Sequence, residues 1–294
     1  VEVGSTYPDD SCTSEVNNSR GHHDKQDHLV HPNSYSTTDP YDSFWERREQ
    51  MTEITMLVPY RKSKSREKIW NFLKPEWQGL LEGHGLKEII EQDSGTELWN
   101  KSIAIARGVL RINTEYTAIV DADVWVNDLD KAFDYIRECP VPYLIAHRRL
   151  LRLNELYTSW LLRGEFPFST LKSPISNLHL DEKYQKAMPG GGCVIVRTST
   201  LRRFVCFDPR HSSWGNEDRD WWFAMKTLVG PPVQLGFDMH HLYHPKQARV
   251  SREFGSAVDE ALHKLYKAAY DNEPEMFRLI REAQAAVRAV IPEW

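Results

Sequence analysis

The sequence predicts an α/β protein built on a mainly parallel sheet flanked by helices. Short continuous apolar runs alternate with stretches of helical periodicity, and the runs end in turn signals or acidic residues. The first run, Ile54 to Val58, is stopped by Pro59, the profile of a buried strand that ends where the chain turns. Ile69, Trp70, Leu73, Trp77, Leu80 and Leu81 then recur at helical spacing between Arg66 and Leu81. A second unit repeats this order, with Lys87 to Ile90 as strand, Asp93-Ser94-Gly95 as loop and Leu98 to about Ile112 as helix. Tyr116 to Val120 is a further buried strand that runs directly into Asp121. Ligands of such sheets bind beyond the carboxyl ends of the strands, where Asp121 and Asp123 stand.

Tyr143 to Ala146 reads as a strand and Leu150 to Leu162, dense in Leu and aromatics, as a helix. Gly190-Gly191-Gly192 precedes the β-rich Cys193 to Val196. A helix to Leu228 is expected beyond Arg219, then a strand over Val233 to Leu235 and two helices between Ser256 and Val290. Residues 1–48 are rich in Ser, Thr, Asp, Asn and His with few aliphatics, so they bury too little surface to offset ordering entropy. They read as a flexible polar arm whose His22, His23, His28 and His31 form a solvated tract rather than a metal site. One large α/β domain is expected over 49–250, with 251–294 as a helical extension packed on it.

The formal net charge of -5 carries no basic excess, so overall charge gives no sign of a nucleic-acid partner. Four Cys (Cys12, Cys139, Cys193, Cys206) lack CxxC spacing, which supports neither a disulfide framework nor structural zinc and fits a reducing compartment. No run approaches the roughly 18 apolar residues of a membrane span. A soluble, cytoplasmic protein is expected, with a lumenal domain cut from its anchor as the alternative. Trp160, Trp214, Trp221 and Trp222 are candidate stacking faces for sugar, and for Trp221 and Trp222 a place in the core is the competing expectation. His147, Arg148, Arg149 and Arg152 read as the solvated start of a helix.

Three stretches carry chemistry. In Asp121-Ala122-Asp123, two carboxylates two positions apart at a strand end aim oxygens at a hard cation, which in turn can bridge the phosphates of a nucleotide diphosphate. Trp214-Gly215-Asn216-Glu217-Asp218-Arg219-Asp220 puts three acids at a helix start, where the helix dipole favours them and where one can accept a proton from a sugar hydroxyl. His241-Leu242-Tyr243-His244 follows a strand and offers imidazole to complete a carboxylate metal site, without the HExxH pattern of zinc proteases.

Read in order, these stretches resemble the β-1,4-galactosyltransferase family, inverting enzymes of the GT-A fold, over roughly Ile54 to Pro245. Pro59-Tyr60-Arg61 is similar to the family's Pro-Phe-Arg, and Trp99-Asn100-Lys101 to its Phe-Asn-Arg. The resemblance implies that Pro59, Tyr60, Arg61, Asn100, Lys101 and Asp121 bind the nucleotide sugar. It implies Asp123 and His244 as ligands of Mn2+ or Mg2+, with His241 in place of the family's thioether. Gly191 and Gly192 match the Gly-Gly before the acceptor site. Trp214 would pack on sugar, Glu217 would bind it and Asp218 would be the catalytic base.

The function this implies is transfer of a hexose-type sugar from a UDP-sugar to a hydroxyl of a glycan, a protein or another acceptor, in the 49–250 domain. Arg61 would add to the charge stabilisation at the diphosphate or contact the nucleotide elsewhere. A nucleotidyltransferase is the enzymatic alternative, but no phosphate-cradling Gly-rich loop follows Val58. A non-catalytic carbohydrate or sugar-nucleotide binding protein is the other, and it would not need both the acidic triplet and Glu217-Asp218.

Overall fold

The computed structural model describes residues 52–84, 86–181, 191–204, 207–211, 216–245 and 257–294. The chain divides into two units, Val1–Arg47 and Arg48–Trp294. The first, which holds most of the polar arm and all four of its histidines, lies outside the described residues.

In chain order the elements are β1 (Ile54–Pro59), α1 (Lys64–His84), β2 (Leu86–Gln92), α2 (Lys101–Arg111), β3 (Tyr116–Val120), β4 (Val124–Val126), α3 (Leu129–Glu138), β5 (Tyr143–Arg152), α4 (Glu155–Leu162), β6 (Cys193–Arg197), α5 (Thr198–Phe204), α6 (Glu217–Leu228), β7 (Val233–His241), α7 (Ala257–Ala269) and α8 (Glu273–Val290). All seven strands join one sheet in the order β2-β1-β3-β6-β5-β7-β4. β1 is buried at all six positions because helices cover both faces of the sheet. Its side chains alternate accordingly. Ile54, Met56 and Val58 face a core with Trp70, Leu73 and Trp77 of α1, whereas Leu57 faces a second core with Ile105 and Val109 of α2 and Trp221 of α6.

The α/β sheet flanked by helices, with helices at the C-terminal end, is as the sequence predicts, but its pairing is mixed. β1 pairs in parallel with β2 and β3, and β5 with β7, while β6 runs antiparallel to both β3 and β5 and β4 antiparallel to β7. The predicted helix from Leu150 is corrected: Leu150 to Arg152 extend β5 by pairing with Met239 to His241, and the helix waits for Asn154, whose side chain accepts from Tyr157 N–H. The basic run is therefore on a strand. His147 is buried, and Arg149 pairs with Asp238 at 2.5 Å. β7 outruns its predicted end by pairing with β4, a three-residue strand that the sequence reading missed along with α3.

One passage dictates the shape of the sheet. β3 and β4 are third and seventh in strand order, which in a flat sheet would separate them by about 19 Å at roughly 4.8 Å per strand. The chain from Val120 to Val124 reaches at most about 14 Å. The sheet must curl, and Gly192, just before β6, lies against β7 inside the curl. Gly192 has φ +78, and a Cβ there would lie 2.4 Å from the Met239 sulfur of β7 and 3.9 Å from Val124 of β4.

No helix among the described residues is long and apolar enough to cross a membrane. Cys193 is a buried free thiol; Cys12 and Cys206 lie outside the described residues.

Gly192→Ala tests the curl. A left-handed backbone costs about 1–2 kcal/mol for an L side chain, and overpacking against Met239 about 1–3 more. Chemical denaturation is expected to show a loss of about 2–5 kcal/mol on that sum; wild-type stability would mean that the curl does not depend on this close approach.

Candidate active site

Asp121, Ala122 and Asp123 form the passage between β3 and β4. Asp121 N–H donates to the Gly192 carbonyl at 2.8 Å, and Leu242 N–H donates to the Asp123 carbonyl at 2.9 Å. Val124 lies opposite His241 in the β4–β7 ladder, which sets the end of β7 beside Asp123. Successive side chains on a strand point to opposite faces, so His241 turns to Asp123 and His240 turns away. Burial holds the His240 imidazole neutral, pushing it down to about 4.

Asp123, His241 and His244 each offer a ligand atom, all within 4.8 Å of one another. His244 Nε2 is 3.0 Å from one Asp123 oxygen, and His241 Nε2 is 3.8 Å from the other. His244 Nδ1 donates to the Pro245 carbonyl at 3.0 Å, which leaves Nε2 to face the carboxylate. Burial favours a neutral Asp123, but His241, the hydrogen bond from His244 and Arg66 outweigh it and hold the carboxyl far below its ordinary range. Burial lowers the His241 pKa, whereas His244, against its own desolvation, is raised by its bond to Asp123. A carboxylate with two imidazoles suits a first-row divalent ion such as Mn2+ better than Mg2+, which prefers an all-oxygen shell.

Two residues back, Asp121 points to a different partner. Lys101 Nζ lies 2.8 Å from Asp121 Oδ1 and 3.1 Å from Asp218 Oδ1, joining the acidic triplet to the start of α6. A lysine in the first turn of a helix opposes the helix dipole. These carboxylates, with Glu217, overcome both that and burial and keep the ammonium charged far above its usual range. Asp218 is raised, chiefly by burial and only partly offset by Lys101. Glu217, buried beside Asp218, is raised by desolvation and by its neighbour's charge. A Cβ on Gly191 would lie 2.6 Å from Asp218 Oδ2, so glycine keeps that oxygen uncovered.

The sequence-predicted nucleotide residues divide. Pro59 and Tyr60 end β1 beside Gln92, with Tyr60 N–H donating to the Gln92 carbonyl at 2.9 Å. Arg61 is directed into the loop after β2: it bonds both Asp93 oxygens at 2.9 Å and donates to the Thr96 and Glu97 carbonyls at 2.6 and 3.0 Å, with Trp99 5.6 Å from its guanidinium carbon. Its charge is thus placed at that loop and not at the metal cluster. Asn100 caps α2 by accepting from Ile103 N–H, and its amide donates to the Pro209 and His211 carbonyls at 2.9 and 3.2 Å. Trp214 lies outside the described residues. Trp221 is a core residue, 3% exposed, and Trp222 stacks on Tyr270.

Sequence reading missed Arg66, whose guanidinium is 3.8 Å from Asp123, and it missed the bridging role of Lys101. The basic start of α1, Lys62-Ser63-Lys64-Ser65-Arg66, was the available signal for the first.

No family model matches the chain, and no curated protein sequence matches it. Among solved structures, the catalytic domain of Drosophila beta1,4-galactosyltransferase 7 aligns at 15% identity over 72% of this chain and 79% of that one, with a TM-score of 0.46. Glucosyl-3-phosphoglycerate synthase from Mycobacterium tuberculosis aligns at 13% identity over 78% of this chain and 84% of that one, with a TM-score of 0.43. These are likenesses of fold; what the site does rests on its own residues.

Lys101→Met removes the cation shared by Asp121 and Asp218. Because these groups are partly open to water, the expected loss is about 1–3 kcal/mol, between exposed and buried ion pairs. Lys101 lowers the pKa of both Asp218 and Glu217, so without it both rise further and the folded state disfavours their ionised forms. The deficit should therefore be largest at neutral and higher pH and shrink as pH falls and the carboxyls protonate. Denaturation at pH 7.5 and 5 checks this, and a deficit independent of pH would contradict it.

Proposed function

We propose that the protein is a metal-dependent inverting glycosyltransferase that moves a hexose-type sugar from a UDP-sugar to an acceptor hydroxyl, with Asp218 as general base. One observation carries the reading: a triad with metal-ligand geometry and a basic carboxylate are joined through the two-residue step from Asp123 to Asp121 and the Lys101 bridge to Asp218. The donor class comes from the sequence resemblance at Pro59-Tyr60-Arg61 and Asp121-Ala122-Asp123.

Asp123, His244 and His241 would hold the ion, which when bound supplies positive charge to the departing diphosphate. Asp121, fixed by Lys101 and by its own backbone bond to Gly192, orients the donor sugar. Pro59 and Tyr60 border the nucleoside end. Arg61 and Asn100 hold the flanking loops in shape, a positioning role. Gly191 leaves room for the acceptor over Asp218, and Gly192 beside it seats this edge of the acceptor site against Met239. The Asp218 carboxylate takes the proton of the acceptor hydroxyl as that oxygen bonds to the anomeric carbon, and the diphosphate leaves from the opposite face with the bonding pair. Its raised pKa matches the task, because a general base works best near the operating pH. Glu217, favoured in its protonated form, can both donate to and accept from a sugar hydroxyl. The acceptor is a glycan, a protein or another hydroxyl-bearing molecule.

Screening UDP-sugars for Mn2+-dependent UDP release, with and without acceptors, tests the reading; no release from any donor would reject it. Asp218→Asn is expected to retain Mn2+-UDP binding and to lose on the order of a hundredfold or more in turnover. Near-normal turnover would remove Asp218 from the chemistry. In the wild type, activity should fall as pH drops through the raised Asp218 pKa, giving an acid limb above the usual carboxylate range. Asp123→Ala and His244→Ala should each weaken Mn2+-dependent UDP binding in calorimetry, and unchanged affinity would refute the metal assignment.

A further inference from the structure

α6 begins under electrostatic and geometric difficulty. Asn216 sits in the left-handed region at φ 55, and its side chain makes no capping hydrogen bond. Glu217, Asp218 and Asp220 then crowd three carboxyl groups into four positions. The dipole of the helix favours acids there, but their mutual repulsion does not. Lys101 restrains Asp218 from one side. The restraint on the other side comes from the C-terminal helices.

Asp220 is 1% exposed and is gripped by two imidazoles: His211 Nε2 lies 3.0 Å from Oδ2, and Nδ1 of His263, on α7, lies 2.5 Å from Oδ1. The other ring nitrogen of His211 faces Asp259, also on α7, at an ion-pair distance of 3.5 Å. The short segment that carries His211 is itself fastened to the same helices. Tyr266 of α7 donates to Asp208 at 2.9 Å, and Arg210 bonds Asp208 and Glu282 of α8 at 2.6 Å each. It also reaches the start of α2, since Asn100 donates to the His211 carbonyl and Ser102 to the Asp208 carbonyl at 3.1 Å. Both neighbours of Lys101 are thus tied to the segment that holds Asp220.

Building on the functional reading above, we propose that His211 and Asp220 are positioning residues for the transfer: with His263 they form a buried clamp through which the C-terminal helices fix the start of α6, and so Asp218, against Lys101. The acidic groups facing His211 are Asp220 and Glu217 from α6, Asp259 from α7 and Asp208 from its own segment. Against burial, the hydrogen bond to Asp220 and its charge favour the protonated imidazole. An imidazolium there hydrogen-bonds Asp220 and sets its positive charge within ion-pair distance of Asp259, which a neutral side chain of similar size cannot do.

The test compares His211→Gln and His263→Gln with the wild type in three measurements. Hydrogen exchange reads the clamp directly: the first-turn amides of α6 should exchange roughly tenfold or more faster, while those of β1 and β3 are unchanged. Mn2+-UDP affinity should stay within about twofold, because Asp123, His241 and His244 are untouched. Turnover should fall roughly tenfold or more, with donor KM little changed, as expected for a displaced base. If His211→Gln does not yield folded protein, His263→Gln, whose side chain is 17% exposed, carries the comparison. Unchanged exchange at α6, or wild-type turnover despite faster exchange, overturns the proposal. A wild-type protein that releases no UDP from any UDP-sugar overturns the functional reading instead, and exchange still decides whether the clamp holds α6.

Discussion

The passage from β3 to β4 is the constraint on which the rest of the structure depends. Three residues must carry the chain across a span that four strand spacings would fill if the sheet were flat. The sheet therefore curls until β4 pairs with β7, and that pairing delivers His241, the last residue of β7, and His244 just beyond it to the carboxylate of Asp123. The convergence of Asp123, His241 and His244 is a by-product of sheet closure. The glycine before β6 is favoured there because its φ is positive and the Met239 side chain of β7 already occupies the space that a Cβ would take.

Electrostatics then arranges the site in two compartments. On one side, imidazoles and Arg66 keep Asp123 ionised in spite of burial. On the other, desolvation favours protons on Glu217 and Asp218, and Lys101 moderates the effect. In the function proposed above, these opposite perturbations of carboxyl groups on neighbouring elements would separate a charge-holding task from a proton-moving one. Lys101 is the hinge between them, and its position depends on Asn100 capping the helix and on the 208–211 segment behind it.

Much of this was legible in the sequence. β1, β3, β6 and the C-terminal helices could be read because their apolar runs or helical periodicities are long enough to leave one interpretation. Asp123, His241 and His244 were legible as ligand types at strand ends, and they do converge. The missed or misread elements are those that tertiary pairing creates. Val124 to Val126 is too short to signal a strand, and Leu150 to Arg152 have a helical composition that pairing with β7 overrides. Mainly parallel pairing was expected because alternating strands and helices imply crossovers, but β6 enters after a long insertion and runs the other way. The inward turn of Arg61, the twofold pairing of Lys101 and the grip on Asp220 all depend on partners 9 to 117 positions away, which periodicity cannot reveal.

The two ends of the Asp121 to Asp123 passage are fixed by main-chain hydrogen bonds, to the Gly192 carbonyl and from the Leu242 amide. Bonds of that kind do not depend on which side chain a residue bears. Leu242 can therefore be exchanged for an apolar residue of similar volume without breaking either bond. A site held in this way can keep its shape while the sequence around it drifts far, provided that the acids, the imidazoles and the glycine at the pinch stay where they are.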